Sequence, residues 1–261
     1  MVVYLVEIAE MVVVVNCPDD LYLFDDWKRF FEEEWWICRQ STGQIGKKVD
    51  IRVEMGGVRM RKFKLVGRLD DLMVPRTVGK KIFFDNRLHP SWLVLEIRQM
   101  MAKLLADRGK VMLHASGVLV DDSVWLIAGS PGSGKSTALK NLMPSYKAVA
   151  EDVVVIESSG KGVVCCWPTP LNLKVKLEVE NRAYPVAGVL IIKKGEGASI
   201  KKLGQADGLV VILDQVRNYA NGPCAGKLAM EVARCLANRV FEVEYSLKMS
   251  LPKLMKKLWQ K

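Results

Sequence analysis

The chain has 261 residues, of which 50% are hydrophobic and 26% are charged. This composition is typical of a globular protein and excludes global disorder, while the length allows one large domain or two smaller ones. The formal net charge of +10 indicates an anionic partner, which could be nucleic acid, a membrane surface or a phosphate-bearing ligand. Charge alone does not distinguish among these three.

The six cysteines form no C-x-x-C pair and the chain has only two histidines, so no zinc site of familiar spacing is predicted. Residues 1–16 are apolar but lack a basic start and are interrupted by Glu7 and Glu10, which predicts a strand or hairpin and not a signal peptide. No apolar stretch reaches the ~18 residues that suggest a membrane span. We therefore expect a soluble cytoplasmic protein with reduced cysteines and no membrane partner.

Residues 1–88 predict a small β-rich region without an assigned role. Short β-type runs lie at residues 12–15, 49–53 and 62–66. Residues 25–39 predict an amphipathic helix, whose aromatic stripe we interpret as core-facing and alternatively as a docking face. The stripe comprises Trp27, Phe30, Phe31 and Trp35.

Residues 89–261 predict a mixed α/β unit. A helix is expected over residues 90–109, with an apolar stripe at Leu93, Ile97, Met101 and Leu104. Asp121-Asp122-Ser123 predicts a tight hairpin turn between two β-runs. The remaining predicted elements are strands at 111–120, 124–128, 149–156, 186–192 and 241–245, and helices at 226–239 and from a Ser250 cap onward.

The strongest motif follows the run VWLIA. Residues 129–136 match G-x-x-x-x-G-K-[ST] in full, and a helix-compatible segment comes next. We call this segment the glycine-rich loop, comprising Gly129, Ser130, Pro131, Gly132, Ser133, Gly134, Lys135 and Ser136. Glycines let backbone N–H groups turn toward a phosphate, and the following helix directs its positive end to the same place.

This motif predicts that the chain binds ATP with Mg²⁺. Lys135 would reach the β- and γ-phosphates, the hydroxyl of Ser136 would bind the metal, and Thr137 extends the phosphate-binding segment. A surface loop rich in glycine and serine is the alternative, which both flanking segments disfavour.

Two adjacent acids, Glu151 and Asp152, follow one helix beyond Ser136, early in a predicted apolar strand. Successive strand residues point to opposite faces, so the two carboxylates are interpreted as having separate tasks. Asp152 would bind the metal together with Ser136, and Glu151 would accept a proton from an attacking hydroxyl. A solvent-facing Glu151 at a strand edge is the alternative.

His114 lies in the segment LHASGVLVD, which should pair with the strand that leads into the glycine-rich loop. A lone histidine is usually structural. The hairpin register, however, would bring His114 near the phosphates, where it could donate a hydrogen bond to the transferring phosphoryl group.

The segments LHASGVLVD, GSPGSGKST and AVAED together resemble the HPr kinase/phosphorylase superfamily, whose P-loop catalytic core is related to phosphoenolpyruvate carboxykinase. The resemblance covers about residues 90–261 and implies a kinase core of that type. It assigns the same roles to His114, Lys135, Ser136, Glu151 and Asp152 as the residues themselves suggest.

The chain also departs from the family pattern. Glu151 stands where the family usually has Asp, and the phosphorylase signature of the bifunctional bacterial enzymes is missing, which argues against the reverse reaction. A further acidic metal contact is expected, and Glu178 and Glu180 are the two candidates.

The resemblance implies a serine hydroxyl as phosphoryl acceptor, and we expect free L-serine, giving O-phosphoserine and ADP. Its carboxylate would need a cation, and its ammonium an acid or a carbonyl; Glu151 or carbonyls near 168–172 could serve the ammonium. The candidate substrate contacts are Asn172, Lys174, Lys176, Arg182 and Arg217.

Two alternatives remain open: a protein- or peptide-serine kinase, and a non-catalytic nucleotide-binding module. No basic tract with interleaved aromatics is present, so nucleic acid is not expected as a partner. A homo-oligomer is possible.

Overall fold

The computed structural model describes residues 2–17, 39–40, 49–56, 76–85, 90–159, 162–169, 171, 179–216, 223–246 and 250–259. The fold is mixed α/β, as the sequence predicts. Chain contacts divide it into two compact units, residues 1–101 and 102–261. The sequence-based boundary between residues 88 and 89 stays a prediction.

The first unit contains a six-stranded sheet with the strand order β3-β1-β2-β4-β6-β5. The predicted N-terminal hairpin is confirmed: β1 and β2 pair antiparallel around Ala9 and Glu10, which both have positive φ. Its strands are β1 (Val2–Ile8), β2 (Met11–Cys17), β3 (Arg39–Gln40), β4 (Ile51–Gly56), β5 (Arg76–Val78) and β6 (Lys81–Asp85).

Two of the three β-runs predicted in this region are confirmed, since residues 12–15 lie in β2 and residues 49–53 overlap β4. The third run, at residues 62–66, lies outside the described residues. Of the predicted helix at residues 25–39 only Arg39 is described, and it lies in β3. The aromatic stripe of that helix therefore stays a prediction.

The long helix α1 (Pro90–Ala106) confirms the helix predicted from residue 90. It ends three residues before Gly109, whose φ of 72 is a conformation that favours glycine. The buried stripe differs from the prediction at one position. Leu105 is buried, whereas the predicted residue, Leu104, is only half-buried. The other three members, Leu93, Ile97 and Met101, are buried as predicted.

The second unit contains a nine-stranded sheet, in which β10-β8-β9-β13-β12-β11-β7 lie in order, β15 pairs with β13, and β14 pairs with β15. The strands are β7 (Lys110–Leu113), β8 (Ser116–Val120), β9 (Ser123–Ala128), β10 (Lys147–Ala150), β11 (Val154–Ser158), β12 (Val164–Trp167), β13 (Tyr184–Lys194), β14 (Ala198–Lys202) and β15 (Val240–Tyr245). The predicted tight turn is confirmed between β8 and β9, where Asp121 and Asp122 both have positive φ, as type I′ turns require.

Among the described residues, four helices accompany this sheet: α2 (Lys135–Leu142), α3 (Gln205–Asp214), α4 (Pro223–Leu236) and α5 (Leu251–Trp259). A short 3-10 turn, Ala237–Arg239, continues α4, so the helix predicted at 226–239 is largely confirmed. The final helix is confirmed as α5, whereas α3 is absent from the sequence-based elements. Within the described ranges of the chain, no helix is both long and apolar enough to cross a membrane.

Two predicted strands are each broken in two, and here the expectation of continuous strands was wrong. The run at 111–120 bends at His114 between β7 and β8, and the run at 149–156 turns at Asp152 between β10 and β11. In each case the two halves pair with different strands: β8 pairs with β9 and β10, whereas β7 pairs with β11. Because of its break, each apolar run supplies two strands, which lie in different parts of the sheet.

An aromatic cluster joins α5 to the helix and strand that flank the glycine-rich loop. The ring of Trp259 lies 6.1 Å from that of Trp125 on β9 and 4.6 Å, edge-on, from that of Tyr146 after α2. Trp125 also covers Gly188 on β13, where a Cβ would lie only 2.6 Å from the indole ring. These contacts tie α5 to β9 and to the segment that follows α2.

The glycines of the two helices α3 and α4 give a matched pair of stability tests. A Cβ added to Gly208 would lie 2.3 Å from the backbone oxygen of Ala237, whereas one added to Gly226 meets nothing within 4 Å. We expect Gly208→Ala to lower the free energy of unfolding by about 2 kcal/mol or more, because the helix must move away. Gly226→Ala should leave it unchanged or raise it by up to about 1 kcal/mol. Urea denaturation of both variants measures this, and equal effects would contradict the close packing of α3.

Candidate active site

Three chain segments meet at one end of the sheet of the second unit. The hairpin pairing ends at Ser116 and Ile127, so the start of β8 and the end of β9 lie side by side. β10 flanks β8 on its other side, and its last residue, Ala150, pairs with Gly117. The sheet therefore brings His114, the glycine-rich loop and the Glu151-Asp152 pair to the same edge, as the sequence predicts for His114.

The glycine-rich loop connects β9 directly to α2, and its three glycines have positive φ: 142 at Gly129, 76 at Gly132 and 103 at Gly134. A Cβ on Gly129 would lie 2.8 Å from Ser133 Oγ and 3.0 Å from the carbonyl oxygen of Ile192. Glycine is thus required at this position both by conformation and by space.

Lys135, the first residue of α2, is buried although it carries a charge. Its ammonium donates hydrogen bonds to the carbonyl oxygens of Gly129, at 2.8 Å, and of Ser130, at 3.2 Å. The side chain is therefore held along the inside of the loop, beside the N-terminus of α2. This places a cation where the unsatisfied backbone N–H groups of the helix already favour an anion.

Three hydroxyl groups of the loop region suit a ligand with several oxygens. Ser133 Oγ is buried and has no hydrogen-bond partner within the described part of the chain, and buried hydroxyls normally have one. Ser136 and Thr137 are exposed at the start of α2. The loop can thus take up a phosphate group by backbone N–H groups, Lys135 and at least one hydroxyl.

Asp152 has a strained backbone. Its φ is 70, and the N–H of Val153 donates to the carbonyl oxygen of Glu151 at 2.9 Å, which spans two residues. This combination is the signature of a classic γ-turn, which is rare. A left-handed non-glycine residue costs about 1–3 kcal/mol, and such strain is typical of functional sites. We call residues 151–153 the acidic turn.

His114 holds Asp152 in place. Its Nδ1 lies 3.0 Å from Asp152 Oδ1 and 3.0 Å from the carbonyl oxygen of Asp152. Both partners are acceptors, so Nδ1 carries the proton. The neutral ring then has its lone pair on Nε2, and His114 can donate from Nε2 only as the imidazolium. A hydrogen bond from Asp152 N to Ser116 Oγ, at 3.4 Å, adds a second tie to β8.

Glu151 is buried, with 6% of its surface exposed, whereas the side chain of Asp152 is 31% exposed. The two adjacent carboxylates therefore have different surroundings, and their separate tasks stay a prediction. Their separation arises from the turn, because the residues lie between β10 and β11 and not early in a strand as the sequence indicated.

Thr169 is a residue of the site that sequence reasoning missed. It is fully buried, its N–H donates to the carbonyl oxygen of Val149 at 3.3 Å, and its hydroxyl donates to the carbonyl oxygen of Val153. These two acceptors flank the acidic turn, so Thr169 fixes the chain on both sides of it. The signal in the sequence was only the segment PTP after β12.

The structure does not bring Arg182 or Glu180 to this edge of the sheet. Arg182 donates to Asp122 at 2.5 Å and to Glu180 at 3.2 Å, and its guanidinium lies 4.1 Å from the centre of the Tyr184 ring. Asp122 lies in the hairpin turn, at the opposite end of β8 and β9 from the glycine-rich loop. The hydrogen bond to Asp122 raises the pKa of Arg182 above its usual value.

The other predicted substrate and metal contacts fall outside the described residues, and they stay predictions. They are Asn172, Lys174, Lys176, Glu178 and Arg217. Among the side chains that the structure describes, no group of three or more His, Cys, Asp or Glu could hold a metal ion by itself.

A β-strand, a glycine-rich loop with a buried lysine, and a helix thus follow one another in the chain, and the acidic turn lies beside them. This arrangement offers a cation and backbone N–H groups to an anion. The chain belongs to the family described as SynChlorMet cassette protein ScmC, whose model matches residues 86–255. That range contains the whole of this site.

Comparison with curated proteins found no match. Among solved structures, the chain is similar to the Hpr(Ser) kinase/phosphatase from Coxiella burnetii, with a TM-score of 0.33 and 14% sequence identity. The match covers 57% of this chain and 93% of that one.

Proposed function

We propose that the chain is an ATP-dependent kinase that transfers the γ-phosphoryl group to a serine hydroxyl, with free L-serine as the acceptor. The observation that carries this proposal is the meeting of the glycine-rich loop and the strained acidic turn at one edge of the sheet. A loop of this kind alone accounts for phosphate binding. A histidine-held aspartate and a buried glutamate beside it add what phosphoryl transfer requires.

The loop residues would bind the phosphate chain of ATP. The backbone N–H groups of the loop and the hydroxyl of Ser133 would donate to phosphate oxygens, and the Lys135 ammonium would offset the charge on the β- and γ-phosphates. The buried position of Lys135 strengthens its effect, because a charge in a water-poor environment is screened less.

The oxygens of Ser136 and Asp152 fit a Mg²⁺ ion, since this metal usually takes one or two protein oxygens together with substrate phosphates. When bound, the ion would neutralise charge on the β- and γ-phosphates. His114 would keep the Asp152 carboxylate oriented toward it, as second partners of ligating groups commonly do.

The acceptor hydroxyl would lose its proton to the carboxylate of Glu151 as its oxygen bonds to the γ-phosphorus. At the same time the bond from the γ-phosphorus to the bridging oxygen of ADP breaks, with attacking and leaving oxygens in line. The products are a serine phosphate and ADP, and the proton rests on Glu151. The longer side chain of Glu, compared with the Asp usual in the resembling family, would still reach the acceptor from its buried position.

The sequence resemblance supports serine as the acceptor. A comparison of several acceptors tests this directly. Purified protein is incubated with ATP and Mg²⁺, and ADP formation is measured with free L-serine, with D-serine and L-threonine as matched small molecules, and with serine-containing proteins. We expect turnover with L-serine and at most about a tenth of that rate with the others. An enzyme typically discriminates by about tenfold or more against a substrate that differs by one group in its binding pocket. No turnover with L-serine but phosphorylation of a protein would overturn the free amino acid as acceptor and favour the protein-kinase alternative.

A further inference from the structure

The end of β13 runs alongside the glycine-rich loop, on the side away from the acidic turn. β13 pairs in parallel with β9 up to Ile191 and Ala128, and it continues three residues further, to Lys194. The carbonyl oxygen of Ile192 would be 3.0 Å from a Cβ on Gly129, so the two segments are in close contact. The loop thus has β8 and the acidic turn on one side and the end of β13 on the other.

The two lysines that end β13 point to opposite faces of the sheet, as successive strand residues do. Lys193 forms an ion pair with Glu242 on β15, with an N–O distance of 2.7 Å. Lys194 shares the face of Ile192, and both lie next to the loop: a Cβ on Gly134 would be 3.9 Å from Lys194 Cε and 4.0 Å from Ile192 Cγ2. The ammonium of Lys194 is one bond beyond that Cε.

Gly134 immediately precedes the first residue of α2, so Lys194 lies at the N-terminus of this helix. Lys193 has its charge offset by Glu242, whereas Lys194 pairs with no carboxylate among the residues that the structure describes. An exposed cation, Lys194, therefore stands next to Gly134, one residue before the buried Lys135.

We propose that Lys194 is a second cationic ligand for the phosphate chain of the nucleotide, approaching it from the β13 side. This inference rests on the proposed binding of ATP by the glycine-rich loop. Its physical basis is the contact with Gly134 together with the strand alternation that directs Lys194, and not Lys193, toward the loop. A flexible lysine can reach a phosphate oxygen without displacing Lys135 from the inside of the loop.

The test is the affinity of Lys194→Met for ATP and ADP, measured by calorimetry and compared with the wild type. We expect binding of both nucleotides to weaken about tenfold, the size typical of losing one charge-assisted hydrogen bond. Lys193→Met is the matched control, because it removes a neighbouring lysine from the other face of the same strand, and it should bind ATP as the wild type does. Lys194→Arg should restore most of the affinity.

A second measurement separates an electrostatic contact from a structural effect. The affinity for ATP is compared between about 50 and 300 mM salt, where screening of exposed charges increases strongly. The loss of affinity with salt should be shallower for Lys194→Met than for the wild type, and thermal unfolding of the two should coincide.

Wild-type affinity and salt dependence in Lys194→Met would overturn the role of Lys194 and leave ATP binding by the loop intact. Equal weakening by Lys193→Met would also overturn it, since the effect would then belong to the strand end as a whole. Failure of the wild type itself to bind ATP would overturn the proposed function, and this inference with it.

Discussion

We expect Lys135→Ala to lose phosphoryl transfer by about a thousandfold or more, because loss of one preorganised cation or donor at a developing charge typically costs 10²–10³ in rate and Lys135 also binds the ground state. The side chain is buried and held by two carbonyl oxygens of the loop, so no neighbouring lysine replaces it in the same position. Steady-state ADP formation with L-serine measures the loss.

Lys140→Ala is the matched control for this experiment. Lys140 lies on the same helix, α2, but five residues further on, where it is exposed. It should retain wild-type turnover. Because Lys135 contacts the loop, thermal unfolding of both variants is recorded as well. A Lys135→Ala protein that is folded and turns over at the wild-type rate would contradict the role of the glycine-rich loop.

The second large effect is expected for Glu151→Gln. This change keeps the size of the side chain but removes its ability to accept a proton, so the transfer rate should fall about 10²- to 10⁴-fold, the range typical of general base catalysis. Binding of ATP should change by less than about twofold, since Glu151 acts on the acceptor and not on the phosphate chain. Single-turnover rates and ATP calorimetry give the two quantities separately.

Glu231→Gln serves as the control for Glu151→Gln. Glu231 is exposed on α4, and its carboxylate accepts a hydrogen bond from Ser158 that an amide oxygen can also accept. It should leave both quantities unchanged. Full activity of Glu151→Gln would show that Glu151 is not the base. Nε2 of His114 would then be the next group to test, because Nδ1 is engaged by Asp152.

Local chemistry explains which parts of this site could be predicted from sequence. The turn at Asp121 and Asp122 needs two residues that tolerate positive φ, and the glycine-rich loop needs its glycines at fixed spacing, so both can be seen in the residues themselves. The position of His114 then followed from the hairpin register. These features depend on neighbours along the chain or across a single turn.

The breaks at His114 and Asp152 depend instead on distant contacts. The N–H of His114 donates to the carbonyl oxygen of Gln215 at 2.7 Å, and the acidic turn is fixed by Thr169 from beyond β12. The runs 111–120 and 149–156 are mainly apolar, and Ser116, Gly117 and Asp152 are too few and scattered to signal a break, so the runs predict continuous strands. Only the packed sheet shows that each run supplies two strands.

Lys194 was missed for a related reason. In the sequence it is one of two adjacent lysines at the end of an apolar strand, a pattern typical of a solvated strand end. The register of β13 and the ion pair of Lys193 with Glu242 distinguish the two. Neither is visible without the structure.

The fate of the γ-phosphoryl group tests the proposed kinase activity most directly, and it is followed by phosphorus NMR of the wild-type protein with ATP, Mg²⁺ and L-serine. We expect the γ-resonance of ATP to be replaced by that of a phosphate monoester, with O-phosphoserine and ADP formed in equal amounts. Omitting serine should stop both. Release of inorganic phosphate alone, at a rate independent of serine, would contradict the proposed activity.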